Sequence, residues 1–123
     1  MISILGIEQL DEFIINNTDK ILLLYFGANR CKPCNILIEK INKESAIEMP
    51  NLLVCYIDVD LKENDEIIDI YEIKILPTQI FVKLKIDNVK IIDRIDGYDW
   101  IKLILLYNKI EKLNNNIIIN KEL

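Results

Sequence analysis

At 123 residues, 51% of them hydrophobic, the chain is sized for one domain with a packed core of its own. A formal net charge of −5 argues against a nucleic-acid or anionic-membrane surface, since both call for basic patches. No apolar run reaches membrane-spanning length, and the opening MISILGIEQLDEF lacks the basic-then-apolar pattern of a secretory signal. The expectation is a soluble, cytoplasmic protein, in a compartment where thiols stay reduced.

Taken in chain order, ISIL (2–5) is a short strand-like run, and IEQLDEFIINN places Ile7, Leu10, Phe13 and Ile14 on one helical face. ILLLYF (21–26) is a continuous apolar run, as expected of a central strand buried on both faces. KPCNILIEKINKESA reads as a helix from Lys32, with Pro33 in the first turn, where no intrahelical donor is lost. NLLVCYIDV is a second buried strand, and ENDEIIDIYE a short helix with acidic residues at its N-terminus. Past Pro77, TQIFVKLK and VKIIDRI alternate as strands joined by a tight IDN connection, an antiparallel hairpin that Gly97 ends. YDWIKLILLYNKIEKL is a long amphipathic helix, with Trp100 in a packing role, and residues 114–123 read as a loose tail after a domain of residues 1–113. The order β-α-β-α-β-α-β-β-α implies an α/β fold: a mixed sheet, parallel at first, completed by the hairpin and flanked by helices on both faces.

ANRCKPCN (28–35) carries the chemistry. Its Cys-X-X-Cys spacing alone fits a metal site, a staple or electron exchange. A closed zinc site needs four ligands, but the chain has no histidine and its third cysteine, Cys55, lies mid-strand, where it reads as a small buried hydrophobe. Three cysteines are too few, and odd in number, for a disulfide framework. The redox reading fits: a buried strand delivers the chain to Cys31 at a helix N-terminus, where peptide dipoles and unpaired N–H groups favour a thiolate. Cys34, one turn on, is placed to attack the mixed disulfide that Cys31 forms.

These residues resemble the thioredoxin family over residues 1–113. YFGANRCKPCN is similar to its strand-then-Cys-X-Pro-Cys segment, and YEIKILPTQIFVK to its second signature, a Leu-Pro-Thr before a strand. The resemblance implies a thioredoxin fold, Cys31 as nucleophile, Cys34 as resolving thiol and Pro33 shaping the turn. It also implies a cis Leu76–Pro77 bond facing the cysteines, substrate docking on Leu76, Pro77 and Thr78, and Gly97 near the site for close backbone approach.

The chain departs from the family around the site. Arg30 stands where an aromatic precedes the first cysteine, Gly27 at another aromatic position, Lys32 for a glycine, and Ile75 for a small residue. A buried aspartate that assists proton transfer to the second cysteine falls at Tyr25, and its lysine partner at Tyr56. The Tyr25 hydroxyl is expected to bond Tyr56 or water. Arg30 and Lys32 are expected to favour the Cys31 thiolate.

The function implied is dithiol–disulfide exchange on protein substrates, a protein-disulfide reductase that needs no metal or organic cofactor. A thioredoxin reductase or a glutathione system would recycle it. The alternative is an interaction module on the same fold with little redox turnover.

Overall fold

The computed structural model describes residues 1–122, and side chains through residue 115. The elements follow the expected order: β1 (Ile2–Ser3), α1 (Gly6–Asn16), β2 (Ile21–Gly27), α2 (Lys32–Glu48), β3 (Leu52–Asp58), a 3-10 turn (Lys62–Asn64) leading into α3 (Asp65–Ile70), β4 (Thr78–Lys85), β5 (Asn88–Asp96) and α4 (Trp100–Glu122). The five-stranded sheet has the order β1-β3-β2-β4-β5. β1 and β2 run parallel to β3, β2 runs antiparallel to β4, and β4 and β5 form the hairpin. This is the thioredoxin fold.

β2 is central, and all seven of its residues are buried. Alternation along the strand sends Leu22, Leu24 and Phe26 into a core with Leu10, Phe13 and Ile14 of α1 and Ile67 of α3. Leu23 and Tyr25 point the other way, against Leu37 and Ile41 of α2 and Leu103 and Tyr107 of α4. Cys55 belongs to the first of these cores, and burial pushes its thiol up to about 12, which makes it inert near neutrality. Trp100 packs at the margin of the second, with the Lys40 ammonium 5.0 Å from its ring centre.

Two boundaries differ from the sequence reading. The short helix ends at Ile70, and Glu72 takes a φ of 50°, turning the chain before Pro77. α4 runs to Glu122, so the backbone of residues 114–122 continues a helix where a loose tail was expected, and position 113 falls inside it. Asn and Ile are middling helix formers rather than breakers, and with neither Gly nor Pro to stop it an established helix adds a bond per residue. Leu123, the last residue of that tail, lies outside the described residues.

Asn64, fully buried, is a tie that periodicity does not reveal. Its Oδ1 accepts the Gly6 N–H at 2.8 Å and its Nδ2 donates to the Asp58 carbonyl at 2.9 Å, joining the start of α1 to the end of β3. Asn64→Ala leaves both backbone groups without this partner and is expected to cost about 1–3 kcal/mol. Urea unfolding checks this: a lower midpoint at unchanged slope is expected, and a midpoint equal to wild type would mean that water replaces the amide freely.

Candidate active site

One end of the sheet assembles the site. At that end Gly27 of β2 pairs with Asp58 of β3, Phe26 with Thr78 at the start of β4, and Thr78 with Asp96 at the end of β5. The residues just past those ends, Ala28 to Cys31, Pro77 and Gly97, therefore converge, although 65 residues lie between Cys31 and Gly97 in the chain.

Cys31 is the N-cap of α2 and Pro33 lies in the first turn. The Cys34 N–H donates to the Cys31 sulfur at 3.2 Å, and the Asn35 N–H to the Cys31 carbonyl at 3.2 Å. The two cysteines form a disulfide with their Cα atoms 5.2 Å apart. Cys31 is half-buried and Cys34 fully buried, so the first sulfur is the one that solvent and a partner can reach. In the reduced protein the same N–H would face a Cys31 thiolate, adding a charge-assisted bond to the dipole of α2. Among the described residues no group of three or more Cys, Asp or Glu side chains could hold a metal ion.

The Leu76–Pro77 bond is cis, as the resemblance implied. Pro77 is buried and Leu76 half-buried, and among the described residues the Leu76 backbone N–H and C=O take no internal hydrogen bond. Such a free edge can accept an extended peptide. Ile75, the preceding residue, is 51% exposed and adds apolar surface beside it.

Thr78 is not part of that surface. It is fully buried, with Oγ1 donating to the Ile75 carbonyl at 2.6 Å and lying 3.1 Å from Asp96 Oδ1, so it braces the segment before Pro77 from beneath. Gly97 has a φ of +99°, and a Cβ there would meet nothing within 4 Å. The left-handed backbone by itself calls for glycine here. The Gly97 N–H donates to the Pro77 carbonyl at 2.7 Å, and its own carbonyl accepts from Gln79 Nε2 at 3.1 Å. Gln79, fully buried with Oε1 unpartnered among the described residues, was hidden in the sequence as one polar letter in a strand.

Close approach governs Gly27 instead. A Cβ on Gly27 would lie 3.1 Å from the Tyr56 hydroxyl, 3.2 Å from the Tyr25 ring and 3.3 Å from Cys34 Cβ. Tyr25 and Tyr56 pair across β2 and β3 with stacked rings 5.7 Å apart. The position where the family resemblance places an aromatic is thus a buried one, and its emptiness makes room for two tyrosines. The Tyr25 hydroxyl donates to the Cys34 carbonyl at 2.5 Å rather than to Tyr56. Burial, then the neighbouring Tyr56, push the Tyr25 phenol well above its ordinary range, so it stays protonated.

Arg30 is exposed and turned to Asp60, with Nε 3.0 Å from Oδ2. Its charge is therefore opposed by a carboxylate rather than offered to Cys31 alone. Lys32 is exposed beside the cysteines and makes no ion pair among the described residues.

Comparison with known proteins agrees with this geometry. A family model described as Thioredoxin matches residues 4–101. Thioredoxin-1 of Caenorhabditis elegans is 33% identical over 76 residues, covering 62% of this chain and 64% of that protein. Thioredoxin-T of Drosophila melanogaster is 30% identical over 76 residues, covering 62% of this chain and 47% of the relative. The chain thus spans less than two-thirds of the first relative and under half of the second. Among solved structures, Fasciola hepatica thioredoxin superposes with a TM-score of 0.76 at 27% identity, covering 89% of this chain and 98% of that one. Trichomonas vaginalis thioredoxin gives 0.76 at 25% identity, covering 89% and 96%. With its cysteine pair at the head of α2, its cis-proline opposite and the family model matched over most of its length, the chain belongs to the thioredoxin family.

Proposed function

We propose that the protein is a thiol–disulfide oxidoreductase acting on protein disulfides. The observation that carries this reading is the half-buried Cys31 sulfur at the N-terminus of α2, bonded to the buried Cys34. In the reduced protein the Cys31 thiolate attacks one sulfur of a substrate disulfide, forming a mixed disulfide and expelling the other sulfur as a thiolate. Cys34 loses its proton and attacks the Cys31 sulfur, which restores the internal disulfide and releases the second substrate thiolate. Two electrons pass from the cysteine pair to the substrate. Leu76 offers its backbone to the substrate chain, with Pro77 and Gly97 shaping that edge, and Pro33 sets the turn between the sulfurs. No helix among the described residues is long and apolar enough to cross a membrane. Cytoplasmic location, disulfide-containing protein substrates and recycling by a thioredoxin reductase or a glutathione system complete the reading.

Turnover of insulin disulfides with a thiol donor tests it against a non-catalytic interaction module, which would show no more activity than the Cys31→Ser/Cys34→Ser protein. Cys31→Ser is expected to abolish exchange, because Cys55 is buried and inert. Cys34→Ser leaves attack intact and accumulates mixed disulfides, countable by mass mapping. Faster alkylation of Cys34 than of Cys31 in the reduced protein would reverse the two roles.

Resolution is expected to be the slow step. Cys34 lies in an apolar setting that disfavours its thiolate, and its polar neighbour is a phenol held protonated, which is no base near neutrality. The thiolate fraction of Cys34 rises with pH, so decay of the mixed disulfide should accelerate toward alkaline pH, up to about tenfold per unit while the thiol stays mostly protonated. Rapid mixing separates formation from decay, and Tyr25→Asp, where it folds, should speed decay at neutral pH. Fast, pH-independent decay in the wild type would show that another group, such as Asp58, takes the proton.

Arg30 offsets Asp60 at the mouth of the site. Arg30→Ala removes that cation and leaves Asp60 unopposed, so the Cys31 thiol should titrate at higher pH, and adding Lys32→Ala should extend the shift in the same direction. Thiolate absorbance at low salt measures it; exposure makes the effect small and salt-sensitive. Identical titration in wild type and double variant would show that both side chains act only in solvent.

A further inference from the structure

The segment from Tyr71 to Pro77 carries the docking edge and has no regular secondary structure of its own. One side chain of β5 holds it from outside. Arg94 donates from Nη1 to the Tyr71 carbonyl, from Nη2 to the Glu72 carbonyl at 3.0 Å, and from Nε to Asp96 Oδ1 at 2.9 Å. The carbonyls it takes belong to the end of α3, where Glu72 turns the chain with a φ of 50°. Asp96 lies 3.1 Å from the Thr78 hydroxyl, which donates to the Ile75 carbonyl at 2.6 Å. The strand register makes this possible: Arg94 stands opposite Ile80 and Asp96 opposite Thr78, so both side chains project from the same face of β5 toward α3. The result is one connected series of polar contacts: Tyr71 and Glu72 carbonyls, Arg94, Asp96, Thr78, Ile75 carbonyl. It fastens the segment at Tyr71–Glu72 and again at Ile75, and Leu76, next in the chain, has no internal backbone partner among the described residues.

We propose that Arg94 is a positioning residue for protein substrates: by tying the end of α3 to Asp96 and Thr78, it holds residues 73–76 in the shape that presents the Leu76 backbone to an incoming peptide. This rests on the oxidoreductase reading above. Arg94 neither reaches the sulfurs nor takes part in exchange. Its effect is to pre-pay the ordering of a segment that would otherwise be ordered only when substrate binds. Substrates that need the edge should depend on Arg94, and a small disulfide that meets Cys31 directly should not.

The test compares insulin with 5,5′-dithiobis(2-nitrobenzoate) as oxidants of the reduced protein. Arg94→Lys keeps a cation beside Asp96 but cannot span three acceptors with a rigid fork. Losing charge-assisted bonds at the loop is expected to raise KM for insulin about tenfold, with kcat and the rate on the small disulfide within about twofold of wild type. Exchange of the Ile73 amide, whose N–H donates to the Ile68 carbonyl at 3.1 Å, should quicken in the same variant, a readout that a stabilising role elsewhere would not move. Asp96→Asn, which weakens the middle of the series without removing a side chain, should shift KM the same way and serves if Arg94→Lys does not fold. Equal losses on both substrates, or an unchanged KM with unchanged exchange, would overturn the proposal while leaving the oxidoreductase reading standing. A wild-type protein that exchanges with neither substrate would overturn both.

Discussion

The complete burial of β2 is the constraint on which the rest of the molecule depends. A strand hydrogen-bonded on both edges and covered on both faces has no freedom of register, because a slip of one residue would exchange the two cores. Its parallel partner, β3, and its antiparallel partner, β4, are both read from it. Gly27, its last residue, is therefore fixed relative to the cis-proline that precedes β4, and so is the short passage to Cys31. The Leu76–Pro77 segment and Cys31 meet because both lie past the same end of one fixed strand.

The neighbourhood of Cys34 follows from an exchange of volume. Two tyrosines stack across β2 and β3 where the family resemblance implied a charged pair, and their bulk is accommodated because Gly27 carries no side chain. A buried carboxylate would need a counter-charge or would stay protonated, whereas a buried phenol needs only an acceptor. The Cys34 carbonyl supplies one. The arrangement holds α2 against the sheet through a neutral hydrogen bond, at the expense of a proton acceptor beside the resolving thiol. Stability and proton transfer make different demands on one buried position, and here the packing is neutral.

Charge at the mouth of the site is local and balanced. An exposed Arg30–Asp60 pair contributes little to stability. It places one charge of each sign near the N-terminus of α2, which Cys31 caps. Arg94 shows the contrasting use of the same residue type. It is partly sheltered, and its guanidinium spends its donors on two main-chain carbonyls and one carboxylate. A rigid fork with several acceptors organises a loop; an exposed one facing a single carboxylate does not.

Local chemistry was enough to read the strands, most helix faces, the hairpin and the cysteine pair, because apolar periodicity, a proline in a first turn and a turn glycine act through neighbours in the chain. ILLLYF had to be a buried strand, and Cys31 had to lie at the start of the helix that follows it. The resemblance supplied the cis-proline. What the sequence could not convey were the contacts between residues distant in the chain: Asn64 joining Gly6 to Asp58, Gln79 and Thr78 bracing the docking edge, Arg94 reaching the end of α3, and Arg30 turning to Asp60. The same limit applies to two glycines whose surroundings only the fold shows: Gly27 is small for its neighbours, and Gly97 holds a left-handed backbone angle. A residue type announces what it can bond or how it can bend, but which partner it meets is decided by strand register and packing, and those exist only once the chain has folded.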